Sequence, residues 1–470
     1  MANLPYLIQS FTQVNLFEAL SNPYCDLQGV ESKQVVKNLF AYLDDLKATS
    51  IVIENNYTDR DYLDDFASYY VRCFQPYERR CKRLHFFSVA IDEETFLKMV
   101  RGQLEVVELM RICSSYLGFI VARPLPQAII GRSVLVANKS NEERNFPCTV
   151  KYQANLFGIK LEVEGLAFQE QDTVLAACAT VALWCSFSGV RKLFGSPTPT
   201  PAEITRIANH VIQHTRPIPS HGLIVQQICS AIRRNGLEPE VLHVNKDTPL
   251  RSLLYSYLKL GLPVVLGVDI ENKGGHAITL TGYCLKHDLN EVHVPPPVNK
   301  ERIPLVGRRI SNFYAHDDQI GPYTSLEIQA YDATTDVTSP IYFESGWDDE
   351  KTGRPLKLTP TVVIIPVYNK VRVTFIDIQH WIIPLHHAVS KALAPEQKPE
   401  WDIYLTTTNK YKKQIKKRYS DLDCLQRQRL KQHPRYIWCA ELVVNGQVIL
   451  EVLADATDMQ RSLCVYDVIW

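Results

Sequence analysis

Three residues in this chain have the types and the order needed for acyl chemistry. They are a cysteine early in a hydrophobic helix, a histidine behind two glycines and an aspartate at the end of a strand. The cysteine is Cys178, within residues 169–187 (QEQDTVLAACATVALWCSF). Val174, Cys178, Val181 and Cys185 recur at i, i+4, i+7 and i+11, which predicts a helix. Asp172 or Thr173 is placed to cap its start by accepting hydrogen bonds from N–H groups with no intrahelical partner. Cys178 then falls in the first or second turn. There the free N–H groups and the macrodipole favour negative charge, so a thiolate is expected to form more easily. Gln171, with Gln169 just upstream, offers an amide donor. Taken alone, such a cysteine reads as a small buried hydrophobe; the histidine is what changes that reading.

Residues 262–269 (LPVVLGVD) and 277–283 (AITLTGY) read as strands joined across ENKGGH. His276 therefore heads the second strand, and the preceding glycines leave its imidazole unobstructed. Residues 286–309 form an excursion containing three consecutive prolines, after which ISNFYA re-enters a strand that ends in His316, Asp317 and Asp318. A carboxylate on a neighbouring strand can fix the imidazole tautomer and stabilise the imidazolium. Asp317 by itself reads equally as a turn residue bonding its own backbone. Asp318 and Asp332 (in AYDATTD) are rivals for the role.

Together, QDTVLAAC, GGHAITLTGY and FYAHDDQIGP resemble the papain-like cysteine peptidases over about residues 165–345. They look most like the bacteriocin-leader (double-glycine) peptidase branch. That branch has a glutamine before a helix-starting cysteine, a histidine heading an HAVVLTGY-like strand, and an aspartate after the next strand. The resemblance implies Cys178 as nucleophile, His276 as base, Asp317 as orienting acid and Gln171 as the oxyanion-hole glutamine. It also implies an α+β fold, a papain-like core in which a helix carrying the cysteine packs on an antiparallel sheet carrying the histidine and aspartate. The activity implied is cleavage of a peptide or amide bond through a thioester acyl-enzyme. Two residues depart from the pattern. Ala179 follows the cysteine where the family usually has glycine, and Gln171 stands seven residues before it where six is common. Both departures suit an alternative, a catalytically inactive module that binds a peptide or protein partner. A second alternative is an acyltransferase or deamidase on the same scaffold.

The elements that must position these residues divide the chain into an N-terminal accessory α/β region (1–150), a peptidase domain (151–345) and a C-terminal accessory α+β region (346–470). In the first, residues 35–46 and 59–73 read as helices and 50–54 and 83–89 as strands. A helix follows at 93–104, then two strands within 114–135. His85 and Arg123 are candidate site residues here, although a histidine beside Phe86 and Phe87 reads better as a satisfied core residue. Thr200 and Pro201 mark a helix start, and a further helix is expected over 220–235, closed by Gly236. His210 and His214 lie four apart, but Val211 stands where the zincin pattern requires glutamate, so an exposed polar face explains the pair. Near the C-terminus a strand is expected over 360–375 and a helix over 376–394. The run KYKKQIKKR (410–418) reads as a solvated helix face, and Asn445-Gly446 as the turn of a hairpin.

The 470 residues include 51 acidic and 51 basic side chains, a balance that gives no global footprint for nucleic acid or an anionic membrane. No apolar run approaches membrane-spanning length. The twelve cysteines contain no C-x-x-C pair, so zinc-site spacing is absent and no metal or other cofactor is expected. MANLPYLIQSFTQ lacks the basic and apolar stretches of an export signal. The expectation is a cytoplasmic protein with free thiols, acting on a peptide or protein substrate and restrained by a regulatory partner.

Overall fold

A computed structural model gives a mixed α+β protein. It describes residues 4–459 and 465–469, except 140–142, 173, 175–176, 211–221, 272, 288–291, 293–302, 331–338, 340, 349–352, 395–396 and 418–421. The chain opens with β1 (Tyr6–Ser10), α1 (Gln13–Leu20), α2 (Leu27–Ser32), α3 (Gln34–Asp45), β2 (Ser50–Tyr57) and α4 (Arg60–Ser68). It continues through β3 (Cys81–Phe87), α5 (Glu93–Arg101), α6 (Val106–Ser114), β4 (Tyr116–Ala122) and β5 (Ile130–Leu135). The five strands form one antiparallel sheet in sequence order. Local chemistry starts the helices: Thr12, Asp26, Asp59 and Asp92 each accept from an N–H two or three residues on. The helix expected over 59–73 breaks after Ser68, where Tyr69 leaves helical dihedrals and a 3₁₀ turn, Tyr70–Arg72, follows.

A short strand β6 (Arg144–Asn145) and a two-stranded hairpin, β7 (Val150–Leu156) and β8 (Ile159–Gly165), lead to the helix α7 (Cys178–Phe194). Next come α8 (Pro201–Ala208), α9 (Val225–Arg234), β9 (Leu237–His243), α10 (Leu250–Leu258), β10 (Val264–Ile270) and β11 (Gly274–Leu285). Four strands then meander: β12 (Ile310–Asp317), β13 (Gly321–Ala330), β14 (Ile341–Asp348) and β15 (Pro355–Tyr368). β10 pairs with β15 as well as with β11, so β10 to β15 close into a ring of antiparallel neighbours. Closure gives each of the six strands a neighbour on both sides. β9 adds to β15 and β6 to β11.

The remaining chain carries α11 (Phe375–Ser390), β16 (Glu400–Thr407), α12 (Thr408–Gln414), α13 (Leu422–Leu430), β17 (Tyr436–Val444), β18 (Gln447–Asp455) and β19 (Val465–Ile469). Its strands form a four-stranded sheet in order. Asn445 (φ 50°) and Gly446 (φ 77°) make the hairpin turn, with the paired positive φ that a type I′ turn requires. The basic run is less solvated than its composition predicts. Lys410 turns inward to donate to the Leu260 carbonyl, and Tyr411 and Ile415 are fully buried. One continuous apolar core joins all three regions, from Phe87 through Trp184 to Trp438.

α7 is the buried centre of this arrangement. Every residue from Ala179 to Val190 is buried, too many for one apolar stripe, because the helix is enclosed on several sides. It packs against β10, β11, β12 and β15. Gly189 allows the approach: a Cβ there would lie 2.4 Å from Pro263 Cγ, just before β10. Two hydroxyls complete the seam, Ser186 Oγ to the Pro263 carbonyl (3.1 Å) and Thr279 Oγ1 to the Ala182 carbonyl (2.8 Å).

Candidate active site

The segment before Cys178 is held by the N-terminal sheet. Phe168 and Ser133 exchange both backbone hydrogen bonds, and the Glu170 N–H donates to the Ile130 carbonyl. The Glu170 carboxylate accepts from Lys33 Nζ (2.7 Å) and from the Ile130 N–H (3.1 Å), while Arg123 Nη2 donates to the Glu170 carbonyl (3.0 Å). Asp172 accepts from the Tyr70 hydroxyl and the Val174 N–H. Thus Arg123, a candidate site residue from the sequence, acts here as a clamp on the backbone.

The helix does not start at Asp172. α7 begins at Cys178 itself, with Ala177 at the cap position and no side-chain cap. The Asp172 carboxylate is committed to Tyr70 and to its own local turn, and Thr173 lies outside the described residues. Cys178 is therefore the first helical residue, where the leading N–H groups have no intrahelical acceptor. It is half-buried.

β11 extends to Gly274, so His276 lies inside the strand, opposite Val268 of β10, and is buried. Its Nε2 is 3.2 Å from Asp317 Oδ1 and 3.6 Å from Asp318 Oδ1. The neighbouring Cys178 thiol also raises the basicity of the ring. Asp317 Oδ1 also accepts from the Gln319 N–H (3.0 Å), and the Ile320 N–H closes a turn onto the Asp317 carbonyl. The turn and the orienting roles of Asp317 coexist on one carboxylate. The second oxygens of Asp317 and Asp318 are buried without a hydrogen-bond partner.

Burial alone lowers the basicity of His276. The charge and hydrogen bond of Asp317, the neighbouring Cys178 thiol and the charge of Asp318 outweigh it and hold the pKa well above that of ordinary histidine. Burial, then the neighbouring Asp317, raises Asp318 to about 7, against the pull of His276. Asp318 thus stores a proton beside the imidazole near neutral pH.

Two neighbours that the sequence left unassigned fix this geometry. His316 is buried, with Nε2 donating to the Leu166 carbonyl (3.2 Å) and Nδ1 accepting from the Tyr323 N–H (3.2 Å). Burial lowers its pKa to about 3, so it is a neutral structural pin. The Tyr323 hydroxyl accepts from the Leu166 N–H (2.8 Å) and donates to the Leu135 carbonyl (3.2 Å). The strand pair bearing the acid is thereby tied to the segment that leads to the cysteine. A histidine next to Asp317 was the only signal, and it does not distinguish a pin from a base.

The other expected residues separate clearly. His85 is a core histidine between Tyr116 and Glu54, its pKa lowered to about 4 by burial. Gln171 is half-buried and makes no hydrogen bond among the described residues. Gln169 is fully buried with Nε2 unpartnered, and its backbone N–H faces the Cys185 thiol, two turns along α7 from Cys178. Six residues before the cysteine stands Asp172, a carboxylate. Asp332 and His214 lie outside the described residues, and His210 is exposed.

The His276, Asp317 and Asp318 ligand atoms lie within 4.8 Å of one another, a set that could hold a metal ion. The same imidazole also has the Cys178 thiol as a neighbour. The arrangement as a whole suits nucleophile activation. No family model matches the chain, and no curated protein matches it.

Proposed function

We propose that this chain is a thiol hydrolase, a papain-like cysteine peptidase in which Cys178 is the nucleophile, His276 the base and Asp317 the orienting acid. The observation that carries the reading is a buried imidazole whose Nε2 meets a carboxylate and whose basicity is raised further by the neighbouring, helix-starting thiol of Cys178. His276 accepts the thiol proton, and Asp317 holds the ring and stabilises the imidazolium. Cys178 sulfur attacks the acyl carbon, and the imidazolium returns the proton to the leaving amine. Water, deprotonated by His276, then releases the acyl group from the thioester. The Cys178 N–H and a side-chain amide, by resemblance Gln171, would bind the oxyanion, each donor contributing about 2.7–4 kcal/mol. Peptide or protein substrates and restraint by a regulatory partner belong to this proposal. Among the described residues no helix is long and apolar enough to cross a membrane.

The deciding experiment is iodoacetamide alkylation of the full-length protein from pH 5 to 9, read by mass at Cys178. Cys73, Cys113 and Cys229 are the internal standards, because they are half-buried to a similar degree. Cys178 should react faster than all three at pH 6, and His276→Ala should abolish the advantage. Equal rates would leave the second reading, a catalytically silent binding module. Asp172, at the position where the amide is usual, favours that second reading.

A further inference from the structure

We propose that a cavity between the start of β12 and the C-terminal sheet binds a small molecule bearing a di- or triphosphate group. The cavity holds about 730 Å³, within the range of sites for nucleotide-sized ligands. One wall carries Arg308 and Arg309, immediately before β12. Lys398 and Glu400, His386 of α11 and the Asn445-Gly446 turn also line the cavity. Among the described lining residues, three permanent cations accompany one carboxylate, in a chain whose total charge is balanced. The excess is local. Two adjacent guanidinium groups suit the planar, bidentate recognition of phosphate oxygens.

The polar groups are held from behind, so little ordering is needed on binding. Arg309 Nη1 donates to the His287 carbonyl (2.6 Å), and its Nε lies 3.5 Å from Glu400. Arg251 Nη1 donates to the Arg308 carbonyl (3.0 Å). Trp401, fully buried behind the cavity, donates through its N–H to the Pro304 carbonyl (2.9 Å) and through Nε1 to His386 Nδ1 (3.2 Å). With Nδ1 accepting, His386 carries its proton on Nε2 and is a neutral donor, because burial and then His387 lower its pKa. Lys398 is exposed and has no ion-pair partner among the described residues. A hollow with no Phe, Tyr or Trp among its described lining residues, rather than a basic stripe with stacking aromatics, favours a small anion over a nucleic acid strand.

This site is separate from the thiol. His287 lies just past the end of β11 and Arg309 just before β12, whereas His276 and Asp317 sit at the opposite ends of the same strands. At about 3.4 Å per residue, the two sites are on the order of 30 Å apart. The proposal therefore does not depend on the peptidase reading.

The test is calorimetric titration of the full-length protein at low salt with ATP, with inorganic tripolyphosphate and with AMP. The proposal expects saturable binding of ATP and tripolyphosphate, at least tenfold tighter than AMP. Equal affinity for the first two identifies phosphate as the whole determinant, and tighter ATP places the nucleoside in the cavity as well. Arg308→Gln with Lys398→Gln should weaken binding at least tenfold, with thermal unfolding as the check on folding. Lys398→Gln alone, at an exposed and unbonded lysine, should weaken it several-fold without unfolding anything. No heat from either polyphosphate at millimolar concentration would overturn the proposal, as would affinity unchanged in folded variants.

Discussion

At the residue scale, the site concentrates two buried carboxylates on one side of one imidazole. Two unpaired negative charges in such surroundings cost several kcal/mol, so one must be neutralised by the imidazolium and the other by a proton. The raised pKa of Asp318, about 7, is the second of these. Between the ordinary carboxylate value and 7, the folded protein binds a proton that the unfolded chain has released. The Asp318 contribution to unfolding free energy must therefore fall as pH rises across that window. His276 adds a slope of the same sign above the ordinary histidine value, because its folded pKa is also raised. The melting temperature of the wild type relative to Asp318→Asn should accordingly decline from pH 5 to 7, the histidines buried neutral at His85 and His316 contributing equally to both curves. An asparagine variant that follows the wild-type curve over this window would remove Asp318 as the proton store.

At the element scale, α7 is placed by close approach as much as by hydrophobic area. Gly189 decides between two effects of known size. Alanine would raise helix propensity by roughly 0.8–1.0 kcal/mol, yet its Cβ would meet Pro263 Cγ at 2.4 Å. Overpacking a tight seam costs about 1–3 kcal/mol, and a proline ring yields little. Gly189→Ala should therefore lower the melting temperature, and a higher value would mean that the Pro263 side of the seam moves freely. The helix itself was legible from the spacing of Val181 and Cys185, but its first residue was not. Asp172 is a good capping residue that tertiary structure diverts to Tyr70.

At the scale of the whole molecule, the N-terminal sheet reaches into the candidate site. Tyr70 does not touch Cys178, but it is one of the groups fixing the chain six residues upstream. Tyr70→Phe leaves a buried Asp172 oxygen without its partner, which costs about 1–3 kcal/mol. The variant should be less stable by that amount in urea unfolding and should alkylate more slowly at Cys178. Loss of stability with an unchanged alkylation rate would show that the segment keeps its course without the N-terminal region.

The sequence by itself determined the local structure: the capped helices, the Asn445-Gly446 hairpin and the strands flanking Gly-Gly-His. Each of these rests on nearest-neighbour chemistry or short periodicity, which does not depend on distant partners. Only the tertiary structure decided that β10 to β15 close into a ring, because pairing β10 with β15 joins residues nearly a hundred positions apart. It alone separated His276 from His316, since both are buried strand histidines and differ in what faces them. It alone placed Asp317 and Asp318 together on one nitrogen, where the low polarity of the interior turns two ordinary aspartates into an acceptor and a proton store.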